Sequence, residues 1–364
     1  MCDPRKWISL AVFPLWIFLS ACATFPPGKS ETQQMSLNSP AERATPSAHP
    51  PDAALLAELP PEIASLANRI SVWPKLPLEK NAWAIVKVGV GNVRFKPDHR
   101  SELGTQLLMG TKVRVLKTEN AWTFVQTSEP YAGWIESSAL IPSDPARNHA
   151  WESGPLLIVT NNYDHVLRKP ESSALPVCDC VAGALFRKIG QEGDWFAVEL
   201  PDGQHGYLPR STAADWEDWK KARQATAAGL EQSARRFFGV PYLWGGATTK
   251  GFDCSGFTRT VFFLNGIDLK RDARQQATQG QPAEPGKSFE NLQPGDLVFF
   301  GRKATPHRPQ DITHVGIYLG DQNYIHCAGS VQMNSFDPKS PLFEESRLKT
   351  FLSARRLLGD PASQ

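Results

Sequence analysis

The charge on this chain nearly cancels. Its 39 Lys and Arg stand against 37 Asp and Glu, a formal net of +2 over 364 residues. Such a balance implies no polyanionic partner, nucleic acid included. Cysteine is sparse: Cys2, Cys22, Cys178, Cys180, Cys254 and Cys327 are all there are. They lack the paired C-x-x-C units of structural zinc sites. Cys178-Asp179-Cys180 is a lone C-x-C, with only His165 and His205 nearby as further ligand candidates, so a loop pair or a buried thiol is expected there. A membrane-spanning run is also missing near the N-terminus. The apolar stretch Ile8 to Leu19 is twelve residues, short of the roughly 20 that a spanning helix needs. What the chain does have is length for two or three folded units, and eleven Trp and thirty Pro, which suit compact, turn-rich modules.

The short apolar run has its own meaning. Arg5 and Lys6 precede it and Leu19-Ser20-Ala21-Cys22 ends it, the layout of an export signal. The final tetrapeptide resembles a bacterial lipobox. That resemblance implies cleavage before Cys22, lipidation of Cys22 and anchoring to the outer face of a membrane. Cleavage as an ordinary secretory signal near Ala21 or Ala23 is the alternative. Ala23, rather than Asp, after the cysteine implies the outer membrane, facing the periplasm, if the cell is Gram-negative. Export also excludes a cytosolic substrate. Residues 23–52 are rich in Pro, Ser, Thr, Gln and Ala and read as a disordered tether. Residues 53–83 begin with a helical pattern (Leu55, Leu56, Leu59, Ile63, Leu66, Ile70) interrupted by Pro60-Pro61; a packing helix is expected.

From Ala84 the hydrophobic period becomes two. Ile85, Val86, Val88 and Val90 open a strand pattern, and Lys112 to Leu116, Trp122 to Val125 and Gly133-Trp134-Ile135 continue it. Short strands separated by turns predict a small β-barrel over residues 84–143. Asn92-Val93-Arg94-x-x-Pro97, Leu108-x-Gly110, Trp122-x-x-Val125 and Gly133-Trp134-Ile135 look like a bacterial SH3-like domain. A weaker copy, over 151–212, is marked by Leu157-Ile158-Val159, Trp195-Phe196-Ala197-Val198 and Gly206-Tyr207-Leu208. The two Trp strands lie 73 residues apart, a tandem pair rather than a solenoid. Charged helical pattern then occupies 213–238, and a last module spans 225–360.

That module holds the stretch with the clearest chemistry, Gly251-Phe252-Asp253-Cys254-Ser255-Gly256-Phe257. Asp253 suits an N-cap. Phe257, Val261, Phe262 and Leu264 have helical spacing, and Asn265-Gly266 ends the run. Cys254 therefore falls at a helix start, where backbone N–H groups favour thiolate. A small buried cysteine on a core helix would read the same way. Downstream, Thr313 to Leu319 alternates like a strand, Gly320 to Asn323 reads as a turn, and Tyr324 to Ala328 returns. A turn centred near Gly320 places His314 and His326 almost opposite each other on one face. A thiol with two histidines suits nucleophile, base and orienter. Cys327 is expected on the opposite face as a buried thiol, and His307 in a surface loop.

Five ordered blocks carry a resemblance: Pro241-Tyr242-Leu243-Trp244-Gly245-Gly246, Phe252 to Phe257, Leu292-x-Pro294-Gly295-Asp296 to Phe300, His314 to Tyr318, and Ile325-His326. They are similar to the NlpC-type cell-wall cysteine peptidases. With two SH3-like domains ahead, the chain resembles the γ-D-glutamyl-L-diamino-acid endopeptidases. The resemblance implies an α+β fold with a papain-like catalytic domain, a Cys-bearing helix on an antiparallel sheet, preceded by two small SH3-like barrels. It implies Cys254 as nucleophile, His314 as base and His326 as orienter. It places Tyr242 beside the thiol, Asp253 and Ser255 along the substrate, and Glu102 and Tyr131 of the first barrel at a free L-Ala amine. There Glu102 is expected as a buried carboxylate, which pairs well with ammonium and poorly with a blocked nitrogen. Lys270-Arg271-Asp272-Ala273 departs from a common Arg-Asp-Ser run. Asp272 remains a candidate contact, Ala273 lacks a hydroxyl, and Arg271 and Asp272 otherwise read as an exposed turn. Expected partners are muropeptides and a membrane reached through the lipid anchor. No metal or cofactor and no nucleic acid are implied, and a monomer is expected. An inactive wall-binding lipoprotein, or an amidase or acyltransferase on the same fold, are the alternatives.

Overall fold

The computed structural model describes residues 53–59, 63, 66, 69–128 and 131–359. The expected signal, Cys22 and the tether lie outside them. Two sheets of seven strands each come first. The first runs from Ala82–Val86 to Leu140–Ser143, and the second from Leu156–Val159 to Ala213–Asp215. Strand for strand they share one order, with the third strand at one edge and the seventh at the other. The second, faintly patterned copy is thus the same architecture as the first. The C-x-C lies on a strand, Pro176–Val181, not in a loop; both thiols are free, and Cys180 is fully buried.

The first barrel buries apolar side chains on two sides. Val86, Val93, Val113, Val125 and Ile135 fill one cluster. Phe95, Phe124, Tyr131 and Trp134 form another, and the N-terminal segment covers it with Leu55, Leu59, Ile63, Leu66 and Ile70. Each such aliphatic side chain contributes roughly 1.5–3 kcal/mol of gross burial free energy, and the Trp134 indole N–H adds a bond to the Val72 carbonyl at 2.7 Å. The expected packing helix is there in part, as Ala53–Glu58, with Leu55 buried in this cluster.

The last module is a six-stranded antiparallel sheet, in the order 281–283, 351–356, 297–302, 311–320, 323–328 and 330–335. The helix Cys254–Leu264 lies against it, with Phe257, Val261 and Phe262 fully buried beside Val315, Ile317, Ile325 and Cys327. The helix starts at Asp253, whose side chain accepts from the Gly256 N–H at 2.7 Å, and it closes at Asn265 before Gly266 at φ +94°. Among the described residues no helix is long and apolar enough to cross a membrane.

Both barrels touch this module. Gln106 of the first accepts from the Ala247 N–H at 3.0 Å and the Thr248 hydroxyl at 3.2 Å. Gly245 has φ +76°, and a Cβ there would meet the Leu103 carbonyl at 2.2 Å, so only glycine allows this approach. The second barrel is tied through Asp179 to Lys250 and through the Thr160 and Asn162 loop to Arg236 and Thr249.

Candidate active site

The Cys254 thiol sits at the first turn of its helix and is 7 % exposed. Backbone N–H groups of Val315 and Ser255 bond to the sulfur. Val315 follows His314, so this contact brings the thiol to the histidine strand. Burial pushes the thiol up to about 12, and the neighbouring Asp253 charge adds to that, against the N–H bonds and Arg271. Burial therefore outweighs the helix start, which alone would favour thiolate.

His314 is 6 % exposed and His326 1 %. Their strands pair with Tyr318 opposite Tyr324 and a register shift at Tyr318/Gly320. The two histidines meet on one face, as expected, but are diagonal rather than almost opposite. His326 instead faces Gly316, where a Cβ would lie 3.1 Å from the His326 Cβ, and His314 reaches it diagonally. The rings stand perpendicular, 4.9 Å apart, with His314 Nε2 2.7 Å from His326 Nδ1. His326 Nε2 is 2.7 Å from Asn334 Oδ1. The Asn334 amide nitrogen donates to the Leu342 carbonyl at 3.3 Å, which leaves Oδ1 as acceptor. The chain of bonds then has one consistent assignment. His326 carries its proton on Nε2, His314 donates from Nε2, and the lone pair of His314 Nδ1 is free. Burial, with the Arg347 charge second and that of His326 third, holds His314 well below its ordinary value. Burial also lowers His326, to about 4, against the Asn334 bond. At rest the thiol and the imidazole are therefore both neutral, with His314 Nδ1 unprotonated.

Around this pair lies a polar network. Arg271 is 1 % exposed, which corrects its reading as part of an exposed turn. It binds both Asp253 oxygens, at 3.1 and 2.7 Å, the Ser255 hydroxyl at 3.1 Å and Thr105 of the first barrel at 2.9 Å. Asp253 also accepts from the Gly245 and Gly256 N–H groups. Its oxygens are thus occupied, and it braces the nucleophile's turn. Tyr242 is half-buried, close enough to Cys254 and Asp253 that their charges, after burial, oppose its ionisation. Ala273 opens the short helix Ala273–Gln276, capped by Asp272, and brings no hydroxyl.

The first barrel supplies one side. The Glu102 side chain is 48 % exposed, which corrects its expected burial, and it accepts the Trp244 indole N–H at 2.8 Å. Tyr131 is 1 % exposed, and its hydroxyl has no hydrogen-bond partner among the described residues. It lies in the field of Arg69, Asp272, Arg271 and Asp253, while burial raises its pKa most. The structure thus gathers Cys254, His314, His326, Tyr242, Asp253, Ser255, Asp272, Glu102 and Tyr131 in one region. Asn334 and Arg69 join them without a sequence reading, and Arg271 joins them against its reading as an exposed turn. For Asn334 the signal was available: it lies on the strand paired with His326, which stands opposite Gln332. Among the described residues no group of three or more His, Cys, Asp and Glu is placed to hold a metal ion.

The description of the NlpC/P60 family matches residues 239–351, which contain the thiol and both histidines. The bacterial dipeptidyl-peptidase SH3 domain matches residues 93–140. The γ-D-glutamyl-L-lysine dipeptidyl-peptidase of Bacillus subtilis is 30 % identical over 235 residues, 61 % of this chain and 71 % of that protein. This chain belongs to the NlpC/P60 family of cysteine peptidases. Dipeptidyl-peptidase 6 of Lysinibacillus sphaericus is 28 % identical over 280 residues, 73 % of this NlpC/P60 chain and 96 % of the relative. An NlpC/P60 family protein from Bacillus cereus shares the fold, at a TM-score of 0.64 and 23 % identity, over 75 % of this chain and 99 % of that one.

Proposed function

We propose that this NlpC/P60 peptidase is an exported enzyme that cleaves the bond between γ-D-glutamate and the diamino acid in cell-wall peptides. The observation that carries the reading is the His314–His326–Asn334 chain, whose tautomers leave one basic nitrogen free, on the strand whose next residue, Val315, hydrogen-bonds the buried Cys254 thiol. The names of its relatives, dipeptidyl-peptidases acting on γ-D-glutamyl-L-lysine, support the substrate class.

His314 Nδ1 takes the Cys254 proton as the sulfur attacks the γ-carbonyl, because neither group carries charge comfortably alone in this buried place. The tetrahedral oxyanion draws on the Cys254 backbone N–H and the Tyr242 hydroxyl. His314 then returns the proton to the leaving amine. Water, deprotonated by the same nitrogen, hydrolyses the thioester and regenerates the thiol. His326 and Asn334 keep His314 in the productive tautomer. The substrate's free L-Ala amine lies toward Glu102 and Tyr131, with Ser255 and Asp272 bordering it. Outside the described residues, Cys22 carries the lipid anchor, which places the enzyme in the cell envelope. Incubating L-Ala-γ-D-Glu-diamino-acid tripeptide with the full chain tests this directly. The dipeptide L-Ala-D-Glu and the free diamino acid are the products expected, and any other cut site removes the proposal.

A further inference from the structure

The amine end of the cleft already contains a cation that belongs to the chain. Arg69, on the N-terminal segment, stacks over the Phe95 ring at 4.8 Å and lies 5.9 Å from the Tyr131 ring centre. Its Nη1 meets Asp272 at 2.5 Å, and its Nη2 stands 3.9 Å from Glu102. The segment is held in place by Ile63, Leu66 and Ile70, all buried against the barrel. Three stretches far apart in sequence, the segment, the first barrel and the catalytic module, therefore meet at one guanidinium.

The charges divide unevenly. Three carboxylates face this region, Glu102, Asp253 and Asp272. Asp253 is matched by Arg271 through two hydrogen bonds. Asp272 is matched by Arg69 at close range. Among the described residues Glu102 has only the long approach of Arg69 and the neutral indole N–H of Trp244. Among the described residues one carboxylate is left without a close cationic partner, and the buried Tyr131 hydroxyl, near the same Arg69, has no hydrogen-bond partner.

We propose that Arg69 is a specificity-determining residue of the amine subsite: it holds Asp272 to itself and leaves Glu102 as the single carboxylate offered to the substrate's ammonium. This rests on the reading that the peptide's N-terminus lies at Glu102 and Tyr131. An ammonium between two free carboxylates would be bound tightly, and a neutral acylated nitrogen there would be strongly rejected. With Arg69 present the pocket carries one negative charge fewer, and a fixed guanidinium donor stands ready for the carbonyl of an acylated terminus. The enzyme is thereby tuned to discriminate less between free and acylated L-Ala than its carboxylates alone would make it.

The test is the ratio of kcat/KM for the free-amine tripeptide to that for its N-acetyl form, in the full chain. Arg69→Gln should raise that ratio about fivefold, the effect of one partly screened charge pair, with the change in KM. Asp272→Asn should lower it, because Arg69 then turns to Glu102. A folded Arg69→Gln variant with an unchanged or lower ratio overturns the proposal. If Arg69→Gln does not fold, an Asp272→Asn ratio at or above wild type overturns it instead. Glu102→Gln separates the two readings. A ratio that does not move in that variant places the amine elsewhere and removes the underlying assignment, whereas a falling ratio with no effect of Arg69→Gln removes only the role of Arg69.

Discussion

Single side chains set the chemistry through burial. His326 is lowered to about 4 from an ordinary 6.5. Between those values the unfolded chain binds a proton that the folded chain does not, so stability falls as pH falls through this window. For His326 the loss amounts to about 2 kcal/mol at pH 5 relative to pH 7.5. The buried His314 works in the same direction. Thermal melts should therefore show a lower Tm at pH 5, and His326→Gln should flatten part of that slope; equal slopes would contradict the burial argument. Asn334 is tested by kinetics. Asn334→Leu removes the acceptor that fixes the His326 tautomer, and kcat should drop at least about tenfold with KM little changed. The charged residues here were the least legible in the sequence. Arg271 read as surface because an arginine is normally exposed unless paired, and its pairs, Asp253 and Thr105, lie 18 and 166 residues away. Arg69 meets Asp272 across 203 residues, beyond any local pattern.

At the level of elements, periodicity carried most of the fold. The period-two runs became the strands of the first barrel and the histidine hairpin, and the Phe257, Val261 and Phe262 stripe became the buried face of the nucleophile helix. Register was not legible: the turn lies at Asp321-Gln322 rather than at Gly320, and the irregularity at Tyr318/Gly320 moves His326 from opposite Ile317 to opposite Gly316, back onto the face of His314. A turn read from composition does not reveal such a shift. The contact between the first barrel and the module is tested at Gly245. Gly245→Ala forces a side chain onto the Leu103 carbonyl at positive φ, a cost of at least about 1–3 kcal/mol. The expected outcome is a Tm several degrees lower and a raised KM. An unchanged Tm and KM would mean that the barrel does not need this approach.

For the whole molecule, the catalytic module is served by three other parts of the chain. The first barrel brings Glu102, Gln106, Thr105 and Tyr131, the N-terminal segment brings Arg69, and the second barrel ties Asp179 to Lys250. On the proposed reading substrate choice belongs to the assembled chain, while the NlpC/P60 family match spans residues 239–351. Tandem barrels were visible in the repeated Trp strands, but which faces meet the module was not, because those contacts rest on single polar residues. Location is tested by Cys22→Ser, which should move the protein from the membrane fraction to the soluble fraction on cell fractionation. Retention in the membrane fraction would contradict the lipid anchor.

In the proposed function Cys254 makes the cut between γ-D-glutamate and the diamino acid. Mass spectrometry of muropeptide digests by wild-type and Cys254→Ala proteins tests it most directly. Wild type should lose that bond and no other, and the variant should leave the muropeptides intact, both proteins showing the same folded circular dichroism spectrum. Cleavage by a folded Cys254→Ala protein at the wild-type rate would contradict it.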